Sequence, residues 1–148
     1  MRTTQIECIV FRKTKNVFEF LLLKRLPEKG GFWQPISGGV EKTDNSLINA
    51  AFRELKEEAN IQKKDILKII ENIHYFKINK HYLTKTTIPI IKEYVFAFEI
   101  NPNFKITIDQ NLCKEHNEIK WASFENSLKL LKWEDNKIAF KKLNELLT

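Results

Sequence analysis

The chain has 148 residues, 43% hydrophobic and 11% aromatic, which is enough apolar matter for one compact domain and excludes a disordered chain. A formal charge of +6 and a pI near 9.3 point to a polyanionic partner, be it nucleic acid, a membrane surface or a phosphorylated small molecule. Cys8 and Cys113 lie far apart without metal-ligand spacing, and the first residues hold no apolar run long enough for a signal peptide or membrane span. The expectation is therefore a cytoplasmic single domain over 1–148 with two free thiols and no membrane partner.

Residues 5 to 12, IECIVFRK, and 17 to 24, VFEFLLLK, are rich in β-branched, aromatic and leucine residues, and the polar TKN between them reads as the turn of a hairpin. After LPEKGGFWQPISGG, the stretch SLINAAFRELKEEA (46–59) spaces Leu47, Ala50, Ala51, Leu55 and Ala59 as a buried helical stripe, with Ser46 or Asn45 as N-cap. Residues 68 to 79 and 89 to 100 read as two further strands, and EIKWA at 118 to 122 as a short one. SFENSLKLLKW then predicts a short helix. DNKIAFKKLNELL predicts a longer one, capped at Asp135 or Asn136, with Ile138, Phe140, Leu143, Leu146 and Leu147 inward. Interleaved strands and helices predict the α/β class, a mixed sheet covered by helices on both faces.

Two features concentrate chemistry. All four glycines, Gly30, Gly31, Gly38 and Gly39, lie in one short loop before the first helix. Glycine lets the main chain approach a ligand, so the Gly38-Gly39 pair can hold a phosphate or offer a carbonyl to a metal, while Gly30-Gly31 reads as a tight surface turn. Within RELKEEAN, Glu54, Glu57 and Glu58 stand at i, i+3 and i+4, which puts three carboxylates on one face of a helical turn. A solvated face partly neutralised by Arg53 and Lys56 is one reading. The glycine pair upstream favours the other, a platform for a hard divalent cation that binds oxygen and bridges to substrate phosphates.

The run GGVEKTDNSLINAAFRELKEEANI (38–61) resembles the Nudix box, with Arg53, Glu54, Leu55, Glu57, Glu58 and Ile61 in register. It departs from that pattern twice. Counting back from Arg53, the box glutamate falls on Asn45 and its glycine on Gly39; starting from Gly38 puts Asp44 at the acid position with one residue inserted. The closing glycine is Asn60, the residue that after glycine best tolerates a left-handed helix end.

The resemblance implies a Nudix-type α/β/α sandwich around a mixed sheet and hydrolysis of a nucleoside diphosphate linked to another moiety, with Mg²⁺ or Mn²⁺ as cofactor. It implies Glu54, Glu57 and Glu58 as metal ligands, the Gly39 carbonyl as a further ligand, and Arg53 as the partner that fixes one carboxylate. A base from outside the box is expected at Glu115, with Glu118 behind it; His116 beside it either touches phosphate or is solvated. His74 and His81 receive no role.

A looser likeness over most of the chain, LLLKRLPEKGGFWQPISGGVE with EHNEIKW and SLKLLKWEDNK, is to the nucleoside triphosphate pyrophosphatase branch of the family. Arg25 and Lys24 are expected to clamp phosphate and Gln34 to touch substrate, and Trp33 either to stack on a base or to close the core. The expected partner is a nucleotide or related small molecule rather than nucleic acid, taken by a monomer or homodimer. The reading that follows is cleavage of a nucleoside triphosphate to monophosphate and pyrophosphate. Hydrolysis of a dinucleoside polyphosphate or nucleotide sugar, and a degenerate domain that only binds nucleotide or RNA, are the alternatives.

Overall fold

The computed structural model describes residues 3–108 and 115–148; Cys113 lies outside them. β1 (Thr4–Thr14) and β2 (Val17–Arg25) form the expected hairpin. Its turn residues Lys15 and Asn16 both have positive φ, 51° and 67°, the backbone that matches the twist of a two-residue hairpin. β1 pairs with β2 only between Phe11 and Thr14. Toward its start, β1 pairs instead with β4 (Ile36–Gly39) through Gln5 to Cys8, while the end of β2 takes β3 (Trp33–Gln34) at Leu23 and Lys24. The two strands thus splay apart, and the glycine-bearing segment enters the gap between them.

On the other edge of β1 runs β6 (Thr87–Ile100), parallel, with β5 (Ile66–Lys80) antiparallel beyond it. β7 (His116–Ala122) lies antiparallel along β2. One parallel pair among antiparallel neighbours makes the sheet mixed, as expected.

Strand alternation divides the apolar runs between two faces. Ile6, Cys8, Val10, Leu21 and Leu23 pack with Ala50, Ala51 and Leu55 of α1 (Leu47–Ala59). On the other face, Ile9, Phe11, Phe20 and Leu22 pack with Ala139, Phe140 and Leu143 of α3 (Glu134–Leu147), beside α2 (Phe124–Leu130). Because both faces are covered, the central strands read as nearly continuous hydrophobic runs, which is why their positions were legible. The Cys8 thiol is buried on the α1 face, and burial, with Glu54 next in effect, pushes it well up.

Ser46 caps α1, its hydroxyl accepting from the Asn49 backbone N–H at 3.2 Å. Asn60 closes the helix at φ 57°, the left-handed geometry expected of it. α3 departs from expectation, since Trp133 holds the capping position and Asp135 and Asn136 lie inside the first turn. Their side chains serve other partners: Asp135 accepts from His74 at 3.1 Å, and Asn136 donates to Glu7. Among the described residues no helix is long and apolar enough to cross a membrane.

Candidate active site

The helical period of α1 brings Arg53, Glu54, Glu57 and Glu58 to one cleft, together with Gly38, Gly39 and Glu115. Arg53 organises the group. Its Nη1 donates to Glu54 Oε1 at 2.9 Å and to Glu57 Oε2 at 3.2 Å, and its Nη2 donates to the Gly39 carbonyl at 2.8 Å. Its Nε and Nη2 also grip Asp44, at 2.8 and 3.0 Å. Asp44 therefore supplies the loop acid, while Asn45 takes the left-handed turn at φ 63° that accommodates the inserted residue. The charge-assisted bonds to Asp44 are the main reason the guanidinium is held protonated more firmly than usual.

Glu54 is folded back against β4. A Cβ on Gly38 would stand 2.1 Å from its Oε1, so the strand needs glycine there to make room. Burial pushes the Glu54 carboxyl up to about 7, even though Arg53 acts in the opposite sense.

Glu58 is held from the other side. His116 Nδ1 lies 3.1 Å from Glu58 Oε2, and His116 Nε2 lies 2.8 Å from Gln34 Nε2. With the Gln34 amide nitrogen as donor, Nε2 accepts, so the ring proton sits on Nδ1 and is donated to Glu58. His116 is only 1% exposed, which corrects the expectation of a solvated loop histidine. β7 begins at His116, opposite Arg25, with Asn117 bulged out of β7 before the Lys24–Glu118 pair, and this pairing turns the ring inward. Gln34 is buried and reaches the cleft wall through the same chain of bonds.

Glu115 stands within ligand distance of this pair, with one ligating atom each from Glu58, Glu115 and His116 all inside 4.8 Å. Both His116 nitrogens are already engaged, so oxygen from the carboxylates is what the site offers. Glu54, Glu57, Glu58 and Glu115 thus face one cleft with Arg53 between the first two, an oxygen-rich surplus of negative charge that fits a hard divalent cation. Glu118, exposed on β7 opposite Lys24, is not part of the cleft lining.

Beside the acidic group, Arg25 sits 3.9 Å from Glu115 Oε2 and donates to the Tyr82 hydroxyl at 3.1 Å. Phe32 packs edge-on against both Tyr82 and Trp133, with ring centroids 5.9 and 5.5 Å apart, and Lys85 Nζ lies 4.6 Å above Trp133. Lys24 and Trp33 do not line this cleft. They face each other across the β2–β3 pair, Lys24 Nζ 5.9 Å above the indole, and Trp33 packs against the core. The aromatic wall is built by Phe32, Tyr82 and Trp133; Phe32 and Trp133 fall in the stretches GGFWQP and KWEDNK that carried the looser likeness, while nothing in the sequence around Tyr82 singled it out.

The NUDIX domain model matches residues 1–143. The chain is 34% identical over 122 residues to the asymmetrical bis(5'-nucleosyl)-tetraphosphatase of Caenorhabditis elegans, covering 82% of this chain and 80% of that protein. It is 30% identical over 131 residues, 88% of this chain, to a Myxococcus xanthus protein named octanoyltransferase, and spans 33% of that protein's length. A NUDIX hydrolase structure from Listeria monocytogenes superposes with a TM-score of 0.79 at 29% identity, covering 97% of this chain and 93% of that one. With the box residues gathered around Arg53 and the fold shared end to end, the chain belongs to the NUDIX family.

Proposed function

We propose that the chain is a Mg²⁺-dependent pyrophosphohydrolase, with Mn²⁺ as a substitute, that cleaves a nucleoside triphosphate to monophosphate and pyrophosphate. The observation that carries this reading is one cleft of about 730 Å³ lined both by the acidic group and by Arg25, Phe32, Tyr82 and Trp133, with Arg25 beside Glu115 where the two sets meet. A single aromatic wall suits one base, and the basic groups beside it suit the polyphosphate between.

Bound at Glu54, Glu57, Glu58 and the Gly39 carbonyl, the cation supplies charge neutralisation at phosphate oxygens and a more acidic water. The chain's own residues do the rest. Arg53 fixes Glu54 and Glu57, and His116 fixes Glu58. Glu115 takes the proton of the attacking water as its oxygen bonds to phosphorus, the anhydride bond breaks and pyrophosphate leaves. Arg25, beside Glu115 and Tyr82, steadies the departing phosphates.

Pyrophosphate release over a nucleotide panel with Mg²⁺, run beside Glu58→Gln, tests this reading. Loss of at least about 100-fold in the variant is expected, since a carboxylate that binds metal outweighs the 10–100-fold typical of its supporting partners. Equal activity of a folded variant overturns it.

A second reading, hydrolysis of a dinucleoside tetraphosphate, is favoured by the 34% identity to the Caenorhabditis elegans enzyme of that name. Release of ATP rather than pyrophosphate would select it. The binding-only alternative leans on the displacement of the loop acid from Asn45, and the Asp44–Arg53 pairing supports the hydrolytic reading against it.

A further inference from the structure

Glu7 interrupts the apolar alternation of β1. It shares a face with Ile9 and Phe11, which lie in the core beneath α3, yet it is an acid only 1% exposed. Glu93 does the same on β6, in line with Val95 and Ala97, and is 5% exposed. Gln5 stands opposite Glu93 and Glu7 opposite Val95, so the two carboxyls are diagonal neighbours on one face of the sheet.

Asn136 of α3, also buried, donates its Nδ2 to Glu7 Oε1. Glu7 Oε2 is buried without a hydrogen-bond partner. Burial first, and for Glu7 the neighbouring Glu93 carboxyl next, push both groups up, so the pair keeps a proton that isolated acids would release. It therefore offers an O–H donor and carboxylate acceptors side by side. Core packing alone does not account for it, because apolar residues of similar size would serve a core better than buried acids.

All three side chains line the cleft, on the side opened by Trp133, which stands just ahead of Asn136 at the start of α3. Their chemistry is not needed for phosphoanhydride cleavage. Resting on the reading of this cleft as a nucleotide site, we propose that Glu7, Glu93 and Asn136 form the floor of its nucleoside end and select a heterocycle with an exocyclic amino group beside a ring nitrogen. A carboxyl oxygen accepts from the amino N–H. Its neighbour either donates the shared proton to an unprotonated ring nitrogen, as in adenine, or accepts from a ring N–H, as in guanine or a pterin.

The test is calorimetric binding of matched nucleoside monophosphates to the full chain, AMP against purine riboside monophosphate and GMP against IMP. A site that pairs with the amino group is expected to bind at least one amino partner about tenfold more tightly than its deamino counterpart, because the analogue leaves a buried oxygen unpaired. In Glu7→Met and Glu93→Met that ratio is expected to fall below about threefold, for the same reason. Should either variant fail to fold by circular dichroism, Glu93→Leu, which likewise removes both carboxyl oxygens, is measured with the same expectation. Equal binding of both partners by the native chain, absence of nucleotide binding, or survival of the ratio in folded variants overturns the proposal. Pyrophosphate release without amino preference would sink this inference alone, and amino-selective binding without release would sink the hydrolytic reading alone.

Discussion

Arg53 grips Asp44 through two bonds, Nε to Oδ1 at 2.8 Å and Nη2 to Oδ2 at 3.0 Å. The same guanidinium holds Glu54, Glu57 and the Gly39 carbonyl, so Asp44 anchors the residue on which the carboxylate group is built. Asp44→Ala is expected to lower stability by about 1–3 kcal/mol, the cost of unpairing a buried charged hydrogen-bond partner, and activity by roughly 10–100-fold, as for the supporting partners of metal ligands. Asn45→Gly should be nearly neutral, since φ 63° suits glycine. Urea unfolding and a Mg²⁺ titration of both variants check the contrast.

Gly38→Ala separates folding from chemistry. The new Cβ would collide with the Glu54 carboxylate, which is the far end of a flexible side chain and can swing away. The variant is expected to fold with a melting temperature near that of the native chain and to lose cation binding. Retention of native Mg²⁺ affinity would show that Glu54 does not need its place against β4.

His116→Phe leaves Glu58 without its donor and Gln34 without its acceptor. A decrease of about 10–100-fold in Mg²⁺ affinity or kcat is expected. Gln34→Leu acts one bond further out, through the ring tautomer, and should cost less. Metal titrations at fixed substrate compare the two.

Trp133→Ala and Tyr82→Ala remove the wall at the nucleoside end while leaving the carboxylates in place. Base stacking on an aromatic is worth about 1–3 kcal/mol, so KM should rise roughly 5- to 150-fold with a smaller change in kcat. Lys24→Ala, outside the cleft lining, should leave KM unchanged. Steady-state kinetics on the preferred nucleotide decides.

Glu93 makes stability depend on pH. Its carboxyl is pushed from 4.5 up to about 7 by burial, which outweighs the hydrogen bond with Glu7 that acts in the opposite sense, and Asp135 adds to the rise. Between those values the folded chain keeps a proton that the unfolded chain releases. The stability from this group is thus fully present below about 4.5 and lost as pH rises through 7. Glu93→Gln should flatten the decline in urea midpoint between pH 5 and about 8, the window set by that shift; a parallel decline in native and variant would place its origin elsewhere.

The clustering of the helix carboxylates was legible because it is local. One helical period places Glu54, Glu57 and Glu58 on a single face wherever α1 lies, and Glu115 arrives with the strand that follows it. The substrate end was not, because a β-strand side chain's face depends on register and on which element covers it. Of the two expectations for Trp33 the core one holds: pairing with Lys24 turns it to the core, while its neighbour Phe32 reaches the cleft. Asp44 required the insertion to be absorbed in a left-handed turn, and His116 required a bulge opposite Arg25.

The sequence by itself determined the fold class, the positions of the five longer strands and the main helices, and the carboxylate face of α1, since these follow from hydrophobic period and from spacing within one helix; the short strands β3 and β4 lie in the stretch it read as a glycine loop. Only the tertiary structure decided that Asp44 pairs with Arg53, that Gln34 and His116 steady Glu58, and that Glu7, Glu93 and Asn136 share one buried corner. Those groups come from segments far apart in the chain, and their chemistry exists only where strand pairing and helix docking bring them within hydrogen-bond reach and exclude water.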